Sequence, residues 1–365
     1  MNMKILSIVI GFLFITAFTS GQRSPEPITK FLKLKWEVKI DTKSTLPAIS
    51  GRYLLTADNF AIDTRTGEKL SLSSIDYSID TFLIHSTDYK LNVTDLKNSS
   101  SKFERIRSRP YYIGPKQVEL HNDSIWVEVT KNTSIQGVNL LNQKIIWTTR
   151  SNSRIFNRPV TIGDKVYISN LNQLLTLDKL SGIVIDSLPL RGPVLSGIEK
   201  YKDFIYTVVE DEGLIALNHN TKEIKWKIAL SKYSSRANRI VIDENRVYFS
   251  DRNLYAVDRS NGRLLWQVGE KEGVYIRDSG LSEVKDYLIF YVLEENENLL
   301  TVADKSTGEI LYQGINSNVV GRDNDVPFGR AKEDLLLIDF MDEIIDDNIL
   351  IGVLDNKIYG FEILK

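Results

Sequence analysis

Along this chain, short stretches rich in aliphatic, β-branched and aromatic residues recur, each followed by a cluster of Asp, Asn, Ser, Thr and Gly. The clearest is LYAVDRSNGRLLWQVG, Leu254 to Gly269. Residues 254–257 and 263–268 have the composition that suits a pleated, half-buried surface. Asp258-Arg259-Ser260-Asn261-Gly262 between them is turn chemistry. Asp and Ser bond their own backbone, Asn tolerates positive φ, and Gly adopts it without a Cβ clash, so the pattern predicts an antiparallel hairpin. A lone hairpin is only marginally stable in water, so this one needs neighbours.

The neighbours are copies of itself. Relatives occur at FAIDTRTGEKL, LLTLDKLSGIVI, LIALNHNTKEIKW and LTVADKSTGEILY, with weaker ones at VTDLKNSSSKF and GVNLLNQKIIW. The last strand position before each turn is Asp63, Asp95, Asn139, Asp178, Asn218, Asp258 or Asp304, and Glu362 takes that place in a final strand. The seven intervals from Asp63 to Glu362 average about 43 residues, the length of one four-stranded propeller blade. Glycine stands four positions after the anchor at Gly67, Gly182, Gly262 and Gly308. Eight positions after it stands an aromatic at Phe103, Trp147, Trp226, Trp266 and Tyr312, with Ser71 and Asp186 as exceptions. Two positions before it the residue is small at Ala61, Gly137, Thr176, Ala216, Ala256 and Gly360. Because protein interiors are close-packed, these small residues are expected to make room, on an adjacent sheet, for the large rings.

The eighth copy stops three residues past its anchor, without a turn or an aromatic strand. The missing strand stands at the other end, where FLKLKWEVKI, Phe31 to Ile40, resembles residues 263–268 and has no turn of its own. The expectation is an all-β, eight-bladed β-propeller of four-stranded antiparallel blades, whose last blade, formed by about 333–365, is completed by the N-terminal strand at 30–40. Trp36 then belongs to blade eight, and closure removes sheet edges that would template aggregation.

The motif carried by Ala256, Asp258, Asn261, Gly262 and Trp266 resembles the repeat of the pyrroloquinoline-quinone-like β-propeller family, and the resemblance runs from about residue 30 to the end. It implies one of two roles. One branch of that family contains quinoprotein dehydrogenases; the other contains non-catalytic eight-bladed scaffolds, such as a lipoprotein of outer-membrane assembly. Blade number and repeat length favour the scaffolds. The dehydrogenases resembled here hold their cofactor between a tryptophan floor and a disulfide of adjacent cysteines, with calcium beside a catalytic aspartate. This chain has no cysteine. Trp36, Trp147, Trp226 and Trp266 occupy the repeat position, which leaves only Trp126, in an alternating strand where a core or blade-interface ring is the ordinary role. The lack of cysteine also departs from the lipoprotein, since no lipid can be attached at one.

Composition narrows the picture further. The 365 residues are 42% hydrophobic and 26% charged with a formal net charge of −2, a globular composition with no nucleic-acid footprint. Lys4 followed by an apolar run at 5–17 and by Ser20-Gly21 reads as a secretory signal peptide over 1–21, too short for a membrane span. Residues 22–29 read as a short linker and 30–365 as one propeller domain. The expected location is the bacterial envelope, periplasmic or secreted, where exported chains often carry disulfides but need not.

No residue is assigned a catalytic, cofactor-binding or metal-binding role, and no cofactor is expected. His85, His121 and His219 lack ligand spacing, and His219 falls in a turn, where exposure is the usual state. Asp339, Asp342, Glu343, Asp346 and Asp347 lack the alternating calcium-loop pattern and read as solvated charges; residues 294–298 read as a hairpin tip. Arg105, Arg107, Arg109 and Tyr111 would project from one strand face, either as an interaction surface or as an outer edge blunted by charge and Pro110. Asn92, Asn98, Asn122 and Asn132 open Asn-x-Ser/Thr sequences that matter only in a glycosylating host. The expectation is therefore an exported, monomeric scaffold whose partner is another protein; the alternatives are a quinoprotein enzyme and a ligand-binding or sensory propeller.

Overall fold

A computed structural model describes the chain between residues 32 and 364, apart from 73–81, 107–117, 230–239, 316–335, 339–348 and shorter internal segments. The signal-peptide and linker assignments at 1–29, the acidic cluster at 339–347, and Arg107, Arg109 and Tyr111 lie outside the described residues.

Among those residues the regular structure is strand, arranged as eight antiparallel sheets in chain order. They form the blades: one (48–71), two (82–106 with 118–121), three (125–150), four (160–189), five (199–228), six (240–268), seven (275–315) and eight (336–363 with 32–39). Six of the eight sheets have four strands. In blade seven the inner position is divided between Tyr275–Ile276 and Ser282–Val284, because the hairpin Tyr287–Glu294/Glu297–Asp304 is long enough to pair with both. Its end is the predicted acidic hairpin tip, with Glu294 opposite Glu297. In blade two, Val118–His121 pairs beside Phe82–Ser86, and blade three has three described strands.

The N-terminal strand Leu32–Lys39 completes blade eight by pairing with Lys357–Ile363, Trp36 opposite Gly360. The first strand of the fold is thus the outermost strand of its last sheet.

The turns form as their chemistry dictates. In blade six the Gly262 N–H donates to the Asp258 carbonyl at 2.8 Å, while the Ser260 N–H and hydroxyl donate to Asp258 Oδ1 at 2.8 and 2.6 Å. Gly262 has φ +74°, a conformation that a side chain would strain. The same glycine-to-anchor bond closes the turns at Asp63, Asp178 and Asp304. Beyond the turn, a register shift makes one residue of the outer strand bulge immediately before the aromatic, between Ile145 and Trp147, Ile224 and Trp226, Leu264 and Trp266, and Ile310 and Tyr312. Bulges re-aim side chains, and this one turns the ring into the sheet interface.

The core lies between blades. One cluster joins Tyr206, Ala216 and Trp226 of blade five to Val247, Phe249 and Val257 of blade six. Another joins Tyr248, Ala256 and Trp266 of blade six to Leu288, Phe290 and Ala303 of blade seven. Trp36, Val38 and Ile351 of blade eight pack with Leu54 and Ile62 of blade one, so the N-terminal strand joins the last blade to the first by the kind of apolar contact seen at blades five to seven.

Candidate functional site: seams and rim

Each described repeat tryptophan faces two glycine or alanine positions, one in its own blade and one in the next. Directly across its own sheet stands the small residue: Gly137 opposite Trp147, Ala216 opposite Trp226, Ala256 opposite Trp266 and Gly360 opposite Trp36. A Cβ added at Gly137 or Gly360 would overlap the indole. This corrects the expectation that these small residues sit on an adjacent sheet: the antiparallel register places anchor minus two opposite anchor plus eight on one sheet. The adjacent sheet contributes the turn glycine instead. A Cβ at Gly262 would stand 2.7 Å from Trp226, at Gly308 2.8 Å from Trp266, and at Gly67 2.7 Å from Trp36.

Each indole N–H then donates to the carbonyl of the residue after the next blade's anchor. Trp36 bonds Thr64 O at 2.7 Å, Trp147 bonds Lys179 O at 2.8 Å, Trp226 bonds Arg259 O at 2.9 Å and Trp266 bonds Lys305 O at 3.3 Å. A tryptophan can fill a packed interface while its one polar atom is satisfied, because each turn presents a carbonyl at the same place. These rings are 8% exposed and enclosed by protein, so none offers a stacking floor to a cofactor. Trp126 is half-buried, opposite Val138. Tyr312, opposite Val302, is buried, and burial raises its hydroxyl pKa above the ordinary value. Phe103 pairs with Val93 in blade two.

The seam between blades four and five departs from the rule at both positions together. Asp186 stands where the aromatic should be, opposite Thr176, and Lys222 stands where the turn glycine should be. Lys222 Nζ lies 3.9 Å from Asp186 Oδ2, 3.4 Å from Thr176 Oγ1 and 5.0 Å from the centre of the Tyr167 ring. The Tyr167 hydroxyl donates to His219 O at 3.5 Å, the carbonyl that a tryptophan takes elsewhere. With no indole to clear, a side chain can enter the turn even at φ +65°. Burial lowers the Lys222 pKa, and Asp186 partly opposes that. His219 is half-buried rather than exposed; burial, and then the neighbouring Lys200, lower its pKa and favour the neutral ring.

A second polar network spans blades six and seven. The Lys305 ammonium meets Glu283 at 2.6 Å and Asp243 at 3.9 Å, the Tyr248 hydroxyl donates to Asp243 at 2.9 Å, and Arg246 donates to Lys305 O at 3.2 Å. Burial pushes the Tyr248 hydroxyl well above its ordinary pKa, so it stays a neutral donor. Every group here has a structural partner. Among the described residues no three His, Cys, Asp or Glu side chains come together as metal ligands, and no helix is long and apolar enough to cross a membrane.

Of the basic surface, only Arg105 falls in a described strand, Lys102–Ile106, opposite Leu91. A different surface was missed from sequence. Of the exposed large apolar residues, Leu141, Ile145 and Ile146 lie on blade three, and Leu180, Ile183, Val184 and Ile185 on blade four. The signal that could have found it is Leu180-Ser181-Gly182-Ile183-Val184-Ile185, a turn and strand start with no charge, where the other copies carry Lys, Arg or Glu.

Comparison with known proteins follows the same repeat. The family described as outer membrane protein assembly factor BamB matches residues 131–319, just over half of the chain. The crystal structure of BamB from Moraxella catarrhalis superposes with a TM-score of 0.60 at 12% identity, covering 91% of this chain and 99% of that one. The crystal structure of the computationally designed Ika8 protein gives 0.55 at 12% identity, covering 89% and 98%. At these identities the likeness is one of fold. No curated protein sequence matches significantly.

Proposed function

Because the chain belongs to the family of outer membrane protein assembly factor BamB, we propose that it is an exported, non-catalytic propeller scaffold that holds other proteins during outer-membrane assembly. The observation that carries this reading is the use of the tryptophans. Trp36, Trp147, Trp226 and Trp266 all bridge blades, with ring and N–H both engaged by protein, so four of the five tryptophans are used in packing, which supports a scaffold over a quinone-binding site. What the repeat leaves free is surface. Fold likeness alone does not assign an activity, so the role rests on family membership and on the rim. The protein acts as a monomer in the periplasm or at the envelope, where its partner is a polypeptide.

In-cell cross-linking followed by affinity capture of the full chain tests this. Specific capture of an envelope protein supports the reading; its absence would contradict it. Bound-cofactor absorbance together with dye-linked alcohol oxidation, after incubation with pyrroloquinoline quinone and calcium, would replace the scaffold with an enzyme.

A further inference from the structure

We propose that the outer strand of blade four, Val184–Pro189, with the turn before it, receives an extended strand of another polypeptide, which adds to the sheet and lays apolar side chains on Leu180, Ile183 and Ile185. This rests on the scaffold reading and narrows it to a partner class.

Three observations lead there. First, among the described residues Val184–Pro189 pairs along one side only, with Gln173–Asp178, so its other side presents main-chain donors and acceptors. Such an edge is a template for a further strand unless it is blunted, most often by lysine. Blade five is blunted by Lys225 and Lys227, blade eight by Lys33 and Lys35, and blade six has Arg263. Residues 180–185 of blade four carry no charge, and the one charged side chain of the strand, Asp186, faces Lys222. Blade seven's outer strand Ile310–Ile315 is also uncharged, but residues 310–313 are buried or half-buried, whereas Leu180 and Ile183 are 62% and 64% exposed.

Second, the apolar surface continues onto the neighbouring blade. The Thr149 hydroxyl of blade three donates to Gly182 O at 2.5 Å, and a Cβ at Gly182 would overlap Trp147, so the blade-four turn lies directly on the outer strand that carries Ile145 and Ile146. Contiguous exposed apolar surface marks a binding site more often than scattered residues do.

Third, charge selects the occupant. Across residues 180–185 a partner side chain meets no charge, and the one charge on the strand, Asp186, already has Lys222 3.9 Å away, so a charged partner strand gains little here. A second copy pairing antiparallel through the same short strand would bring two Asp186 carboxylates opposite or nearly opposite each other, which is unfavourable. An uncharged strand of alternating apolar and polar residues has neither problem. Strands of outer-membrane barrels have that pattern, with one face apolar.

The test uses a fluorescent, end-capped Thr-Val repeat peptide of about eight residues, long enough to span one strand, titrated against the full chain. Saturable binding is expected, and Ile183→Lys/Ile185→Lys, altering exposed side chains, should keep the melting temperature yet weaken binding by about tenfold or more. The same peptide N-methylated at alternate amides, unable to complete the ladder, should lose a similar factor. Leu264→Lys on blade six should leave binding unchanged. Equal binding by the rim variant or by the N-methylated peptide overturns the proposal. So does self-association of the chain, or adsorption to phosphatidylglycerol vesicles, that the rim variant abolishes in place of peptide binding. Capture of an envelope partner undiminished by the rim variant would overturn this site while leaving the scaffold reading intact.

Discussion

The indole N–H of Trp36 donates to the carbonyl of Thr64 at 2.7 Å, joining a strand of the last sheet to a turn of the first. The bond repeats what Trp147, Trp226 and Trp266 do between consecutive blades, so closure of the ring uses the seam's ordinary contact.

Truncating a seam ring should be costly. Trp266→Ala removes a side chain from a packed interface and should destabilise the protein by about 3–5 kcal/mol in urea unfolding. A loss below about 1 kcal/mol, the size of an ordinary surface change, would mean that the ring is exposed.

The indole hydrogen bonds should be unequal. Lys305 O also accepts from Arg246 at 3.2 Å, whereas Trp226 is the donor found at Arg259 O among the described residues. Trp226→Phe should therefore cost more than Trp266→Phe, by roughly 1 kcal/mol, since it leaves a seam carbonyl without its donor. Equal losses would show that the carbonyl is hydrated.

The turn glycines should be more sensitive than conformation alone requires. Gly163→Ala, at φ +61° with nothing within 4 Å, should cost only the left-handed strain, about 1–2 kcal/mol. Gly308→Ala has φ +76° and also a Cβ 2.8 Å from Trp266, so overpacking should add about 1–3 kcal/mol. Unfolding curves for the two variants check the difference.

The exceptional seam should be convertible. Asp186→Trp alone places an indole against Lys222 and should destabilise; adding Lys222→Gly should recover that loss. The coupling between the two changes should be about 1 kcal/mol or more, because they occupy one space. Additive effects would show that the positions do not share the seam.

The turn carboxylates give a pH dependence. Hydrogen bonds from the Ser260 hydroxyl and N–H hold Asp258 below its ordinary pKa; at Asp304 burial pushes the other way, but the Ser306 and Thr307 donors outweigh it. A folded pKa below the unfolded one gives stability that is present above the unfolded value, 3.8, and lost as pH falls through the folded value. Ser260→Ala/Ser306→Ala should lower the melting temperature at neutral pH, and the gap from wild type should narrow below the ordinary carboxylate range. A constant gap across that range would remove the carboxylates from the explanation.

The fold was legible because the repeat states it redundantly. Asp258, Gly262 and Trp266 each announce the blade, and Trp36 announces closure by lacking a turn. The partner of each ring was misplaced because spacing alone does not reveal register: anchor minus two and anchor plus eight meet only once the strands pair antiparallel with a bulge. Asp186 stood out in the sequence as an exception at the aromatic position, but its relation to Lys222 is spatial and crosses from one blade to the next. The apolar rim was hidden for a different reason. Ile183, Val184 and Ile185 read as ordinary strand residues until the structure places them on the outermost strand, where apolar side chains face water.

The closure of the ring can be measured directly because the chain has no cysteine. Lys33 and Glu362 are register partners between the N-terminal strand and the last strand, and opposed strand residues lie within disulfide reach. Lys33→Cys/Glu362→Cys should oxidise to a single intramolecular bond, seen as a reducible mobility shift on a gel, while Lys33→Cys/Ser181→Cys should not. A folded double variant at 33 and 362 that stays fully reduced under oxidation would contradict a ring closed by its N-terminal strand.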